Sequence, residues 1–299
     1  MTSKLEFGCI AELVVRGGTS LPTILEDNLR TIDVVKDHFS TIWFDDHFHK
    51  DHSPTLECWT TLCYFASLYS QLQFGTLVLC QSYRNPGVVG KMMSTIQTLT
   101  GGRFIAGVGA GWKEDEYDAY NFHFPPPKVR IAQLEEFVQI LVEMWTASPA
   151  SFSGQHYQLR EAECEPIPDP KPPLLIGGSG EKLTLRVVAK YADWMNIAFP
   201  DPDMFQHKLD VLQAHCDAVG RPLDEIKKSM WTYVTLTDKP SESQLDDRGR
   251  SIITGTDGQV ADEIRAFREL GVEHIMIRFT DFPSTGMAER FISSVIPRL

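Results

Sequence analysis

Short apolar runs alternate with amphipathic stretches along the chain. LEFGCI (5–10) predicts a strand, and TILEDNLRTIDVVKDH (23–38) repeats its apolar positions at helical spacing. TIWFD (41–45) is again strand-like and LECWTTLCYFASLYS (56–70) helical. The alternation continues through LQFGTLVL (72–79), PGVVGKMMSTIQTLT (86–100), RFIAGVG (103–109) and a long helix near 128–146. It resumes with PLLIG (173–177), a helix over 181–192, DWMNIAF (193–199), a helix over 202–219 and SMWTYVTLT (229–237). A helix over 257–270, EHIMIRF (273–279) and a helix over 285–296 complete it. Apolar strands separated by amphipathic helices predict a parallel sheet covered by helices. Eight such units in 299 residues fit a (β/α)8 TIM barrel better than an open doubly wound sheet. One barrel domain over 1–299 is expected. An irregular insertion over 147–172 follows the fourth unit, and a polar stretch over 238–256 is expected to be mobile; such excursions form lids or substrate loops.

Composition narrows the function classes. The chain is 42% hydrophobic and 23% charged, ordinary for a soluble globular protein. A net charge of -12 argues against nucleic acid as the main partner, but leaves room for a local basic pocket. The six cysteines show no CxxC spacing, and most lie in apolar contexts, as buried thiols in a reducing compartment do. No stretch approaches the roughly 18–20 apolar residues of a membrane span, and the opening MTSKLEFGCIAELVV has no long apolar run. A cytoplasmic protein with no membrane partner is expected.

In a barrel the site lies where strands end, so the residues after each strand are the candidates. IGGSGEKLTL (176–185) turns from strand to helix through Gly177, Gly178, Ser179 and Gly180. Backbone N–H groups there suit an anion, and an ordinary serine-capped turn would read the same way. GRFIAGVGAGW (102–112) carries Gly107, Gly109 and Gly111, which fits a bound cofactor or tight packing; with Trp112 in the last position it is not a complete GxGxxG. WFDDHFHKDH (43–52) gathers carboxylates and imidazoles. His47 is suited to acid–base work near neutral pH, with Asp46 orienting it or binding a cofactor edge. His47, His49 and His52 match no standard zinc spacing, and no metal is expected. Glu12 follows the first strand in an apolar setting, facing the barrel mouth or capping a turn. Glu114, Asp115 and Glu116 read as the acidic first turn of a helix. Trp43 and Trp112 lie near strand ends, where they could face a ligand.

Several of these segments together resemble the bacterial-luciferase-like oxidoreductases. The resemblance rests on GTLVLCQSYRNPGVVGKMMSTIQTLTGGRFIAGVGAGWKEDEYDAY (75–120), PLLIGGSGEKLTLRVVAKYADWMN (173–196), TIWFDDHF (41–48) and GTDGQVADEIRAFRELGVEHIMIR (255–278). HKLDVLQAHCDAVGRPLDEI (207–226) is similar to the branch that uses the deazaflavin coenzyme F420. The resemblance implies a flavin or deazaflavin across the C-terminal mouth of the barrel. It also implies a non-proline cis peptide behind the cofactor ring, at Leu77–Val78, and a phosphate loop at Gly177, Gly178, Ser179 and Gly180. The strand-two pair falls on Asp46 and His47, with His47 beside the reacting ring carbon, and Gly109 and its neighbours end a strand beside the cofactor. Two departures stand out. Trp112 occupies the place of an acidic residue in sugar-oxidising deazaflavin enzymes, and Cys80 that of a small hydroxyl residue. The implied activity is hydride transfer between F420 and a small organic substrate, with His47 as acid/base and Glu12 a second candidate. Lys113, Lys128, Arg130 and Lys182 are candidates for a basic track under the coenzyme's oligoglutamate tail. The alternative is a two-component monooxygenase using reduced FMN and oxygen. A non-redox enzyme or a binding barrel is weighed against the retained GGSG and DDH. Family resemblance also implies a homodimer.

Overall fold

Most strands of the barrel are apolar runs of four to six residues buried on both faces, against side chains inside the ring and against helices outside it; the strand over Lys227–Leu236 is longer, with ten residues. The structure is a computed structural model that describes residues 5–15, 19–50, 53–241, 244–245 and 249–299. In chain order its strands are β1 (Glu6–Ile10), β2 (Thr41–Phe44), β3 (Gln73–Thr76), β4 (Leu79–Cys80), β5 (Phe104–Gly109), β6 (Ala150–Ser153), β7 (Gln158–Ala162) and β8 (Leu174–Gly177). They continue with β9 (Trp194–Ala198), β10 (Lys227–Leu236), β11 (Gln244–Leu245), β12 (Ser251–Gly255) and β13 (His274–Phe279). The helices are α1 (Ile24–Val35), α2 (Cys58–Leu68), α3 (Pro86–Leu99), α4 (Glu114–Ala119) and α5 (Pro127–Thr146), then α6 (Thr184–Tyr191), α7 (Pro202–Val219), α8 (Asp257–Glu269) and α9 (Gly286–Arg290).

Parallel pairing runs β1–β2–β3–β5–β8–β9–β10–β13 and closes when β13 pairs with β1. This is the expected eight-stranded (β/α)8 barrel. Two cores follow from closure. Ile10, Trp43, Leu77, Ile105, Leu175, Trp194 and Met276 fill the ring, and a larger apolar shell lies between strands and helices. Trp43 belongs to the inner core, fully buried beside Trp194 and His274, and does not line the cavity at the barrel mouth.

The departures from the predicted pattern have local causes. The third strand is interrupted: β3 ends at Thr76, the Leu77–Val78 peptide is cis, and β4 then rejoins β5. The stretch 147–172 contains the antiparallel hairpin β6–β7, with Phe152 opposite Leu159. Within 238–256, β12 extends the sheet parallel to β10 from Val234↔Ile253 to Leu236↔Gly255, so these residues are held by ladder hydrogen bonds. The helix expected from 181 begins at Thr184 after a turn. The last expected helix is α9 for five residues, followed by a π turn and a 3-10 turn containing Pro297. Proline has no N–H to continue the α pattern. Among the described residues no helix is long and apolar enough to cross a membrane.

Candidate active site

A cavity of about 580 Å³ opens at the C-terminal ends of the barrel strands, within the size range of small-molecule and cofactor sites. His47, Asp46, Leu77, Val78, Cys80, Gly109, Gly177 and Gly178 all line it. Glu12, Ser179 and Gly180 are not among its lining residues.

The cis peptide directs Val78 into the mouth between two bare strand ends. A Cβ on Gly109 would lie 2.6 Å from Val78 Cγ2, and one on Gly177 would lie 2.9 Å from Val78 Cγ1. A Cβ on Gly107 would overlap the Thr76 carbonyl oxygen, and Gly111 has a left-handed φ of 73° against the Tyr117 hydroxyl. The space beside these glycines is taken by the protein's own atoms, so tight packing accounts for the cluster. The backbone is bare to admit the Val78 bulge.

His47 follows β2, and its ring meets a carboxylate from α4. Nδ1 lies 2.9 Å from Glu116 Oε2. The same carboxylate accepts the N–H groups of Phe48 (2.7 Å) and His49 (3.1 Å) and the Tyr83 hydroxyl (3.2 Å). Burial alone would raise the Glu116 pKa, but the bonds from His47 and the two N–H groups outweigh it and hold the carboxyl below its ordinary value. Glu116 is fully buried and turned inward, whereas its sequence suggested only a helix dipole. The indole of Trp112 stands edge-on to His47, centroids 5.8 Å apart, and is 63% exposed at the rim.

Asp46 is committed to the wall. Its carboxylate takes both Arg84 guanidinium nitrogens, at 2.7 and 2.9 Å, and the Cys80 N–H at 2.9 Å. Arg84 also reaches Glu57 at 2.5 Å, and Glu57 caps α2. Asp45 works against strong burial, yet Arg278, His47 and Lys50 hold its pKa below the usual value. Glu12 is only 6% exposed and accepts the Val14 N–H at 3.1 Å, with the Arg278 guanidinium 3.7 Å away. Those contacts fasten the chain after β1; they do not bring the carboxylate to His47. Cys80 Sγ lies 3.1 Å from the Tyr117 hydroxyl, and burial, partly offset by that bond, pushes the thiol up to about 11.

The glycine loop after β8 is exposed from Gly178 to Gly180. The Gly178 N–H is spent on the Asn196 carbonyl at 3.2 Å. The N–H groups of Ser179 and Gly180 have no acceptor among the described residues, so an anion there has two donors to meet. Among the described residues four cationic side chains line the cavity: Lys50, Lys113, Arg130 and Arg250. Lys128 and Lys182 do not. Lys50 lies within WFDDHFHKDH and Arg250 five residues before the segment 255–278; no apolar or glycine pattern marks either as facing the cavity, which is why sequence reasoning missed them. His49 stacks on Tyr120 and faces Lys113, and His52 lies outside the described residues.

Among curated proteins, the chain is 33% identical over 158 residues to an F420-dependent glucose-6-phosphate dehydrogenase of Amycolatopsis mediterranei, covering 51% of this chain. The match spans 45% of that relative's length, and 61% and 60% of two further relatives of the same description. Among solved structures, it resembles an F420-dependent secondary alcohol dehydrogenase in complex with an F420-acetone adduct, with a TM-score of 0.83, 19% identity and 99% of each chain covered. It also resembles the EDTA monooxygenase of Chelativorans sp. BNC1, with a TM-score of 0.80, 13% identity, and 98% of this chain and 93% of that one covered. These two likenesses show the fold. A family model described as luciferase-like monooxygenase matches residues 36–248, most of the barrel and both sides of the cavity, and the chain belongs to that family.

Proposed function

We propose that this chain is an oxidoreductase that transfers a hydride between coenzyme F420 and a small organic substrate. The observation that carries the reading is one cavity lined by the Val78 bulge, by the start of the glycine loop after β8 and by His47. The fit to a deazaflavin rests on the donor set. Ser179 and Gly180 offer unspent N–H groups for the phosphate, and a Cβ on Gly178, at φ 128°, would crowd Thr184 Cγ2 at 3.1 Å. Lys50, Lys113, Arg130 and Arg250 supply positive charge suited to the coenzyme's carboxylate tail. When bound, F420 supplies or accepts the hydride; the chain aims it, shields it from water and manages the substrate proton at His47. Relatives named as F420-dependent dehydrogenases support the cofactor. Trp112 in place of an acid favours a substrate other than a sugar phosphate.

The protein acts as a cytoplasmic homodimer in this reading. Its support is an apolar face on α2 and α3, where Tyr64, Leu68, Val88 and Leu99 are exposed beside a groove.

Separate fluorescence or heat titrations with oxidised F420 and with FMN test the cofactor. The expected result is tight F420 binding that Gly178→Asp abolishes, since the aspartate adds bulk and negative charge at the phosphate loop. Preference for FMN would move the assignment to the two-component monooxygenase. Binding of neither by folded protein would end the redox reading.

A further inference from the structure

We propose that Glu116 is a positioning residue that fixes the His47 imidazole with its proton on Nδ1 and a lone pair on Nε2, directed to the cavity. Among the described residues four donors meet the Glu116 carboxylate. Oε1 takes the Phe48 and His49 N–H groups at 2.7 and 3.1 Å, and Oε2 takes His47 Nδ1 and the Tyr83 hydroxyl at 2.9 and 3.2 Å. An ionised carboxylate only accepts hydrogen bonds. The proton between it and a neutral imidazole therefore belongs to Nδ1, and the other ring nitrogen is left as an acceptor. Nε2 has no partner among the described residues, while His47 lines the cavity. Trp112, edge-on to the ring, and two backbone bonds from residues 48 and 49 to the same carboxylate restrain rotation. The low pKa of Glu116 keeps it in the acceptor-only form at neutral pH.

The consequence for chemistry rests on the hydride-transfer reading. In the oxidation of an alcohol, the C–H bond breaks and its hydrogen leaves with both electrons to the oxidised coenzyme. The O–H bond breaks as its proton passes to Nε2 of His47, and the C=O bond forms. The alcohol loses two electrons and the coenzyme gains them. Only the Nδ1–H tautomer of neutral His47 can accept that proton; the opposite tautomer presents a donor to the substrate oxygen. A fixed wrong tautomer is known to remove most of a histidine's catalytic contribution in serine proteases.

Nitrogen-15 NMR of histidine-labelled protein, without cofactor or substrate, tests the assignment. His47→Gln identifies the His47 resonances by their loss. In the neutral imidazole, wild-type Nδ1 should show the protonated, amine-type shift and Nε2 the unprotonated, imine-type shift. In Glu116→Gln the side-chain oxygen keeps the two backbone N–H groups, so the amide nitrogen faces Nδ1 and donates to it. The two shifts should then exchange. Tyr83→Phe keeps the carboxylate and should leave them in place. An amine-type Nε2 in the wild type, or shifts unmoved by Glu116→Gln, overturns the proposal. If Glu116→Gln does not fold, the wild-type spectrum decides alone. F420 is titrated separately into the wild-type sample. Failure of the wild type to bind F420 would remove the redox reading and leave the tautomer assignment standing.

Discussion

Asp46 shows how a residue can stand at a cavity and still belong to the scaffold. Its neighbourhood at the end of β2 made it a candidate for the cofactor edge. In the fold its carboxylate is only 1% exposed and is gripped by Arg84 from two sides, with the Cys80 N–H as a third donor. Asp46→Ala should cost roughly 3 kcal/mol in urea unfolding, at the low end of what breaking a buried ion pair costs, because Glu57 still partners Arg84. Unchanged stability together with weakened F420 binding would instead return Asp46 to the cofactor. Glu116 is the converse case. Read alone, it was one of three acids in a helix start. Its role was legible only in spacing: Lys113, Glu116 and Tyr117 stand at i, i+3 and i+4, and these are the buried positions of that turn. A buried face made of a lysine, a glutamate and one tyrosine carries little hydrophobic signal, so periodicity passed over it.

At the scale of elements, the sequence was most readable where burial is one-sided or complete. The eight barrel strands and their principal helices follow from apolar runs and amphipathic spacing, and their ends shift by only a few residues. The hairpin β6–β7 was not legible because its two strands are mostly exposed: β7 runs exposed, half-buried, exposed, exposed, half-buried. Cross-strand packing of Phe152 on Leu159 holds it, a contact between residues that spacing alone does not connect. The cis bond after β3 was anticipated by resemblance, and the packing of Val78 between Gly109 and Gly177 shows why glycines face it. The α2–α3 face carries the element-scale prediction. Val88 and Leu99 are 57% and 77% exposed on α3, beside an apolar groove lined by Trp59, Met92 and Ile96, and contiguous exposed apolar surface marks an interaction site. In sedimentation velocity the wild type should run as a dimer and the double variant Val88→Glu, Leu99→Glu as a folded monomer. A monomeric wild type would remove the dimer.

For the whole molecule, ionisable groups buried at opposite ends of the barrel imply two stages of acid destabilisation. At the N-terminal end His274 is fully buried, its Nε2 2.9 Å from Thr41 Oγ1 and its Nδ1 3.7 Å from Glu6. Burial foremost lowers its pKa below the ordinary 6.5, against the pull of Glu6. As pH falls below about 6.5 the unfolded chain takes up a proton that the folded chain resists. Stability is therefore lost from that point down to the folded pKa. At the C-terminal end Asp45 and Glu116 are held below their ordinary values of 3.8 and 4.5. Their stabilising contributions are present above those values and are lost as pH falls through the folded ones. The first stage thus belongs to His274, and the second to the carboxylates at the cavity together with Glu6, whose pKa the bond to His274 foremost lowers to about 2. Between pH 7 and pH 5.5, wild-type stability in urea should fall by about 1 kcal/mol more than that of His274→Gln, given about 1.4 kcal/mol per proton per pH unit. Below pH 4.5 both proteins should lose stability, the wild type more steeply, because His274→Gln removes the foremost cause that holds the Glu6 carboxyl down at about 2. Equal slopes in the upper range would mean that His274 accepts its proton within the fold, with Glu6 as the partner across 3.7 Å, and the first stage would then vanish.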